Sequence, residues 1–385
     1  MKVDKSVLPI LAGLIFVLPS AVMVWSQGAS PSTASTTQAN AVRTATLEVV
    51  VTDKSGLPVS GLDAKSFTLL DNKKPQSVTG FREVHAMNAA SDPPVEAVLL
   101  IDNLSSGFAV LADLQRNLTE YLQKSGDRLP LPMSLVFLTD QGLKMQGKPT
   151  RDPKIMLANL ESNPTVQQAT QMSAGYDRWM EIRQKSLTAL DVLAVDLNKR
   201  PGRKLVVWIS PGWAAFEAET SQKTAKEREA LFTFIVGIST LLRESGITLY
   251  AVDPRGANTR GSTGDSRYET QDYERSGNNQ QYKDSIGGNN FKYKDYLKGV
   301  TSPKQADNGD LMLQMFAAQT GGNVLFGSNN TAQLIDRCLE DAQSYYELTF
   351  TLPNATQANE YHGLQVQIDK PGLKARSRMG YYAQP

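Results

Sequence analysis

Four short and almost uninterrupted apolar runs restrict the fold of this chain more than any other feature. They are Val95–Ile101, Met133–Leu138, Lys204–Ile209 and Ile247–Val252. Runs of this kind are typical of parallel strands that are buried on both faces. Segments with helical spacing of apolar residues lie between them, so strands alternate with helices. The sequence therefore predicts a doubly wound α/β domain with a mostly parallel sheet and helices on both faces.

Shorter strand patterns flank this domain on both sides. Residues 43–90 contain three strand-like runs separated by tight polar turns, and residues 344–385 contain three more. Each flanking segment alone is small for an independent hydrophobic core. We therefore hypothesise that the two β-rich segments pair into one sandwich beside the α/β domain, which would occupy residues 94–343.

The first 26 residues predict an export signal. Lys2 and Lys5 precede an uncharged run from Ser6 to Ser26, and a charged region followed by an apolar one is typical of secretory signals. The run is also nearly long enough to span a bilayer, so an uncleaved inner-membrane anchor is the alternative. Residues 27–42 have the composition of a flexible linker. We expect the protein in the periplasm, at the cell surface or outside the cell.

The composition argues against several kinds of chemistry. Lys and Arg number 40 against 39 for Asp and Glu, so no net field attracts nucleic acid. The two histidines and one cysteine are too few for a usual zinc site. Phosphate-binding, nucleophile-elbow and zinc-protease motifs do not occur in the sequence. We expect no enzymatic activity, no cofactor and no nucleic-acid partner.

Polar loops follow the predicted parallel strands. They are Asp102–Phe108, Thr139–Gly142, Ser210–Phe216 and the chain from Asp253 onward. Open α/β sheets bind their ligands outside the carboxyl ends of the strands, near the point where the strand order reverses. We therefore expect a binding site at these loops.

Several motifs in a fixed order give the chain a resemblance to the bacterial von Willebrand factor A-related proteins. They are Val49–Val59, Leu99–Asp102, Gly202–Ser210, Tyr345-Tyr346 and Arg378–Tyr382. The resemblance covers most of the chain after residue 43. It implies a von Willebrand A fold and, in intact members, a metal-ion-dependent adhesion site. In that site a divalent cation keeps an open position for a carboxylate of the partner.

The residues that such an adhesion site needs are only partly present. Asp102 and Ser106 match the first and last positions of the family's Asp-x-Ser-x-Ser loop, but Leu104 replaces the middle serine. Ser210 stands at the position of a later aspartate. One carboxylate and one or two hydroxyls make a poor cage for Mg²⁺ or Ca²⁺. We therefore expect a vestigial metal site, in which Asp102 and Ser106 are the candidate ligands.

Three further points about the adhesion site stay open in the sequence. The family's threonine ligand could be Thr165 or Thr170, and Mg or Ca binds only if Asn103 or Asp253 substitutes for a lost ligand. If no metal binds, Asp102 caps the turn into the following helix, and Ser105 or Ser106 serves as the N-cap of that helix.

A long polar segment, residues 255–309, interrupts the domain after its fourth apolar run. Connections between elements usually have about 4–6 residues, so a segment of this length is either functional or disordered. Tyr268, Tyr273 and Tyr282 lie within it, and its Tyr, Ser, Gly and Asn content suits both adaptable binding loops and solvated ones. Trp213 is a second candidate contact, unless it packs over its own loop.

The sequence thus predicts an exported, non-catalytic module of adhesion or scaffold type that recognises a protein partner. The candidate binding residues are Asp102, Asn103, Ser105, Ser106, Ser210, Trp213, Tyr268, Tyr273 and Tyr282. One alternative is a membrane-anchored structural protein of the envelope. The less favoured alternative is a hydrolase that uses the crevice carboxylates Asp102, Asp140 and Asp253. The oligomeric state stays open.

Overall fold

The protein is described by a computed structural model over residues 43–86, 94–163, 176–212, 223–256, 297–325 and 328–385. The predicted export signal and linker lie outside these residues, as do Thr165, Thr170, Trp213 and the three candidate tyrosines. No helix within the described ranges is long and apolar enough to cross a membrane.

A six-stranded sheet forms the centre of the α/β domain. Its strands are β5 (Val95–Asp102), β6 (Met133–Thr139), β7 (Gly142–Thr150), β8 (Arg203–Ile209), β9 (Ile247–Val252) and β10 (Val324–Leu325). They lie in the order β10-β9-β8-β5-β6-β7, and β7 alone pairs antiparallel within this sheet. The strand order reverses between β5 and β8, which is the arrangement of a doubly wound sheet. The predicted fold class is therefore confirmed.

Helices cover both faces of this sheet. They are α1 (Phe108–Lys124), α2 (Pro153–Glu161), α3 (Tyr176–Leu197), α4 (Ala225–Glu244), α5 (Leu313–Gln319) and α6 (Thr331–Glu340). Side chains of β5 alternate between two cores, with Val98 and Leu100 in one and Leu99 and Ile101 in the other. The first core contains residues of α3, α4 and α5, and the second contains residues of α1, α2 and α6. This double burial explains the uninterrupted apolar runs.

The edge strand β7 and the helix α2 were not predicted. The segment Thr139–Gly142, expected to be a crevice loop, is instead the tight turn that joins β6 to the antiparallel β7. Most β7 side chains are exposed or half-buried, and the strand contains Gly, Lys and Pro, so its sequence lacks an apolar signal. Helix α2 begins where Asp152 accepts a hydrogen bond from the Lys154 N–H at 2.8 Å.

The two β-rich flanking segments pair with each other. Their strands are β1 (Thr44–Thr52), β2 (Phe67–Asp71), β3 (Lys74–Gln76), β4 (Val78–Val84), β11 (Tyr345–Thr351), β12 (Glu360–Ile368), β13 (Lys374–Ser377) and β14 (Gly380–Ala383). They form two sheets, β13-β1-β11-β4 and β14-β12-β2-β3, and both sheets mix strands from the two ends of the chain. Apolar side chains from both sheets share one core. The hypothesis of a single sandwich is confirmed.

The end of the predicted polar segment contributes to the core of the α/β domain. Val300 and Ala306 are buried in the core that contains α3, α4 and α5. A short 3₁₀ turn, Asn308–Leu311, precedes α5, which begins at Leu313.

The stability of this 3₁₀ turn should depend on pH through Asp310. Burial raises the pKa of the Asp310 carboxyl to about 7, although its Oδ2 accepts a hydrogen bond from the Asp307 N–H at 2.8 Å. A raised carboxyl pKa in the folded state means that stability is lost as pH rises from about 4 to about 7. We expect Asp310→Asn to be more stable than wild type at pH 8 by up to about 4 kcal/mol, because the pKa shift is about three units.

Urea unfolding at pH 4 and pH 8 measures this difference. At pH 4 the two proteins should be nearly equal, because the folded wild type then carries a protonated Asp310. The reverse pattern, a variant that is less stable at pH 8, would contradict the assignment.

The single cysteine should be unreactive in the folded protein. Cys338 is fully buried in the core beside α1 and α6, and burial raises the pKa of its thiol. Because the thiolate is the reactive form, we expect Ellman's reagent to react at least about a thousandfold more slowly than with the unfolded chain. In denaturing guanidinium chloride one thiol per chain should react. Rapid labelling of the folded protein would show that α6 opens.

Candidate binding face at the carboxyl edge of the sheet

Asp102 ends β5 at the reversal point of the sheet, and its side chain is fully buried. Its Oδ1 atom accepts hydrogen bonds from the backbone N–H groups of Leu104 and Ser105, both at 3.0 Å. Its Oδ2 atom accepts one from the Ser210 hydroxyl at 2.8 Å and a longer one from Trp208 Nε1 at 3.4 Å. Four donors of the protein itself therefore surround this carboxylate.

Ser210 connects the loop after β8 to the loop after β5. Its hydroxyl donates to Asp102 and also accepts a hydrogen bond from the Gly212 N–H at 3.0 Å. Gly212 has a φ of 87°, and a Cβ there would lie 2.4 Å from the Gln314 amide nitrogen. The positive φ favours glycine at this position, and the lack of a Cβ leaves room for the Gln314 side chain of α5.

The residues present do not fit a divalent cation. A cation needs free carboxylate lone pairs, whereas both oxygens of Asp102 already accept hydrogen bonds from the protein. Leu104, at the position of the family's middle serine, is 3% exposed and packs in the core. Within the described part of the chain, no three His, Cys, Asp or Glu side chains come together as a metal site would require.

The capping roles expected for Asp102 and for the two serines of this loop are only partly present. Asp102 holds the turn that leads to α1, as expected, but the N-cap of α1 is Gly107, which makes no side-chain capping bond. Neither Ser105 nor Ser106 is the N-cap. Their hydroxyls and the Asn103 Oδ1 atom are buried and have no hydrogen-bond partner among the described residues. The loop therefore has unused hydrogen-bonding capacity next to the saturated Asp102.

The other two crevice carboxylates do not join Asp102. Asp253 forms an ion pair with Arg255, with its Oδ2 atom 2.6 Å from Arg255 Nη2. Asp140 lies in the turn after β6, where its backbone carbonyl accepts a hydrogen bond from Lys185 at 3.0 Å. Its Oδ1 atom has no partner in the part of the chain that the structure describes.

Two neighbours of this face were missed from the sequence. Gln314 is one, and its Oε1 atom is buried without a described partner. Phe108 is the other: it is the first residue of α1, directly after the polar loop, and 69% of it is exposed. Its spacing of three residues from the buried Leu111 suggests a core position, and only the start of the helix at the sheet edge leaves it in solvent. The face defined here, called the carboxyl face, comprises Asp102–Phe108, Asp140, Ser210–Gly212 and Gln314.

Comparison with known proteins gives weak similarities. No family model and no curated protein matches the sequence. Among solved structures, the conserved hypothetical protein BatB from Bacteroides thetaiotaomicron has 14% identity and a TM-score of 0.30, over 64% of this chain and 98% of that one. The SpRpn10 VWA domain has 13% identity and a TM-score of 0.24, over 41% and 74% of the two chains.

A third similar structure is the vWF domain of the type V pili tip protein Mfa5 from Porphyromonas gingivalis. It has 15% identity and a TM-score of 0.22, over 37% of this chain and 49% of that one. At these scores the fold class stands on the order and direction of the strands in the sheet itself.

Proposed function

We propose that this protein is a non-catalytic, metal-independent module that recognises a protein partner through the carboxyl face. The observation that carries the proposal is the saturated carboxylate of Asp102, which is bonded to four donors of the protein. A carboxylate in this state is neither a general base nor a cation ligand. In the resembling family a bound cation contacts a carboxylate of the partner. We propose that neutral polar side chains and the exposed ring of Phe108 make the contacts here instead.

The unused acceptors of the carboxyl face support protein recognition. Asn103 Oδ1, the hydroxyls of Ser105 and Ser106, and Gln314 Oε1 are buried without a described partner. A buried polar atom without a partner costs about 1–3 kcal/mol. A donor from a bound protein would recover this free energy once the loop moves to expose the atom. Phe108 adds an exposed aromatic anchor of the kind enriched at interfaces.

The chain also leaves the described part at this face, after Gly212 and after Gly256. The residues that follow include Trp213 and, further on, Tyr268, Tyr273 and Tyr282. Tyrosine offers a large contact area at a low entropy cost. These four residues lie outside the described part of the chain, and we propose them as partner contacts from their side-chain chemistry alone.

A hydrolase based on the crevice carboxylates has little support in this geometry. Asp102 is saturated and Asp253 is paired with Arg255, which leaves Asp140 as the one crevice carboxylate with an oxygen lacking a described partner. Acid-base catalysis of hydrolysis by carboxylates uses two such groups with different protonation states.

Export remains part of the proposal and rests on residues 1–26 of the sequence. A membrane-anchored structural role makes a different prediction. In that case deletion of residues 257–296, which spares the buried Val300, would leave every partner contact unchanged.

Site-specific photo-crosslinking in the native host tests the proposal. We would place p-benzoylphenylalanine at Phe108 or Ser106 on the carboxyl face, and at Asp127 in the exposed turn after α1 as the matched control. A discrete adduct of higher mass at the first two positions, absent at Asp127, is expected. The adduct should be lost when residues 257–296 are deleted. Equal adducts at all three positions, or none at any, would reject the carboxyl face as the binding surface.

A further inference from the structure

A cleft lies at the amino-terminal ends of the parallel strands, at the end of the sheet opposite the carboxyl face. The paired flanking sheets meet the α/β domain there. The cleft has a volume of about 600 Å³, and Gly202 and Gly246 line it just before β8 and β9 begin. Residues of β1, β11 and β13 form other parts of its wall. Small-molecule sites usually have volumes of about 300–1,000 Å³, so the cleft is large enough for such a ligand.

The cleft is rich in arginine. Five arginines and two glutamates line it: Arg82, Arg203, Arg243, Arg376, Arg378, Glu48 and Glu347. Three of the arginines are paired with carboxylates, because Arg82 contacts Glu347 at 2.6 Å, Arg203 contacts Glu48 at 2.8 Å and Arg376 contacts Asp341 at 2.6 Å. The remaining two, Arg243 and Arg378, have no carboxylate partner from the cleft.

Arg243 and Arg378 keep donors that no carboxylate in the cleft occupies. Arg378 donates from Nη2 to the backbone carbonyl of Ile247 at 3.0 Å, and no described carboxylate lies within ion-pair distance of it. Arg243 pairs only with its exposed neighbour Glu244, at 3.0 Å, and its buried Nε has no hydrogen-bond partner among the described residues. Two guanidinium groups thus face the same cleft with unused hydrogen-bonding capacity.

The electrostatics of Arg378 favour a nearby negative charge. Burial and the neighbouring positive charge of Arg243 lower the pKa of Arg378 to about 10, against an opposing contribution from Glu48. A charged group held in this way gains stability from a nearby negative charge. An oxyanion bound between the two guanidinium groups would supply that charge through paired N–H donors.

Apolar side chains line the same cleft. Leu47, Phe350, Leu352, Leu364 and Tyr381 contribute to its wall. Leu352 and Leu364 are half-buried, whereas Phe350 and Tyr381 belong to the sandwich core and are 1% and 6% exposed. Arg243 and Arg378 line the same cleft as these apolar side chains. A ligand that fills the cleft therefore needs an anionic group and an apolar body.

We propose that this cleft, bounded by Arg243, Arg378, Leu352 and Leu364, binds a small amphipathic oxyanion. Its carboxylate or phosphate group contacts the two arginines, and its apolar part lies against Leu352 and Leu364. The site is separate from the carboxyl face, which lies at the other end of the strands, and it does not depend on the function proposed there.

Isothermal titration of the full chain tests this site with four probes: octanoate, octyl phosphate, inorganic phosphate and octanol. We expect saturable binding of octanoate, octyl phosphate or both, and the stronger of the two identifies the acid group. Inorganic phosphate and octanol should bind at least tenfold more weakly, because each has only half of the required chemistry. Binding of octanol as tight as that of the anions, or no binding of either anion, would overturn the proposal.

Three variants test whether binding of the anionic probe depends on Arg243 and Arg378 or on any surface arginine. Arg243→Gln removes a partly exposed side chain and should fold, and it should weaken binding of the anionic probe at least tenfold. Arg378→Gln gives a second, independent reading if its midpoint of unfolding remains within a few degrees of wild type. Arg116→Gln is the matched control, because Arg116 lies on α1, is well exposed and pairs only with Asp113. Equal affinity in Arg243→Gln and Arg116→Gln would overturn the proposal.

Discussion

Replacement of Asp102 by alanine should lower the free energy of unfolding by about 3–5 kcal/mol, in the absence of any metal. The substitution leaves the Ser210 hydroxyl, the Trp208 N–H and two backbone N–H groups without their shared acceptor in a fully buried place. Urea unfolding of the full chain, buffered with a chelator, measures the loss. A substitution in a working cation site would instead have its main effect when the cation is present.

The control for this prediction is Ser106→Ala in the same loop. The Ser106 hydroxyl has no hydrogen-bond partner among the described residues, so its removal should cost no stability and should raise the free energy of unfolding by up to about 1–3 kcal/mol. Millimolar Mg²⁺, Ca²⁺ or Mn²⁺ should leave the wild-type midpoint unchanged. A bound cation at about 100 times its Kd would add about 2.7 kcal/mol. Such a rise, lost in Asp102→Ala, would show a metal site and contradict the metal-independent proposal.

Replacement of Asp341 by alanine should cost a similar amount, about 3–5 kcal/mol, for a different reason. Asp341 follows α6, and its Oδ2 atom accepts hydrogen bonds from the Tyr250 hydroxyl at 2.5 Å and from Arg376 Nη2 at 2.6 Å. Burial opposes the charge of Arg376, but the nearby Asp341 carboxylate raises the pKa of that guanidinium above its ordinary value. Without Asp341, a buried cation of the flanking sheet loses its partner.

A surface ion pair of the same sheets provides the control. Arg82 and Glu347 are 2.6 Å apart, but the Arg82 side chain is 46% exposed, so Arg82→Ala should cost less than about 1 kcal/mol. Urea unfolding of both variants gives the comparison. If Asp341→Ala loses no more stability than Arg82→Ala, the buried pair does not hold the flanking sheets on the α/β domain.

Much of the central domain could be predicted from the sequence because its signals are local. Each of the parallel strands β5, β6, β8 and β9 is an apolar run, since helices cover both of its faces. The edge strand β7 has no such run, because its side chains are exposed or half-buried and its backbone pairs only with β6 among the described strands. Its position could be found only by the pairing.

The candidate site also combines features that the sequence indicates with features that only the fold creates. Side-chain chemistry alone indicated that Leu104 and Ser210 are poor substitutes for metal ligands. That the Ser210 hydroxyl reaches the Asp102 carboxylate across 108 residues of sequence, and satisfies it, is a property of the fold. The exposure of Phe108 is likewise decided by where α1 begins relative to the edge of the sheet.

By itself, the sequence determined the class of the α/β domain, because a strand that is buried on both faces consists almost entirely of apolar residues. It also determined that polar loops follow the carboxyl ends of these strands. Only the tertiary structure decided in which order the strands from the two ends of the chain alternate in the two sheets of the sandwich, and that Arg243 and Arg378 face one cleft. These features depend on contacts between residues far apart in the sequence. No local pattern of hydrophobicity or charge encodes such contacts, since the free energy that selects them arises only when the distant segments pack together.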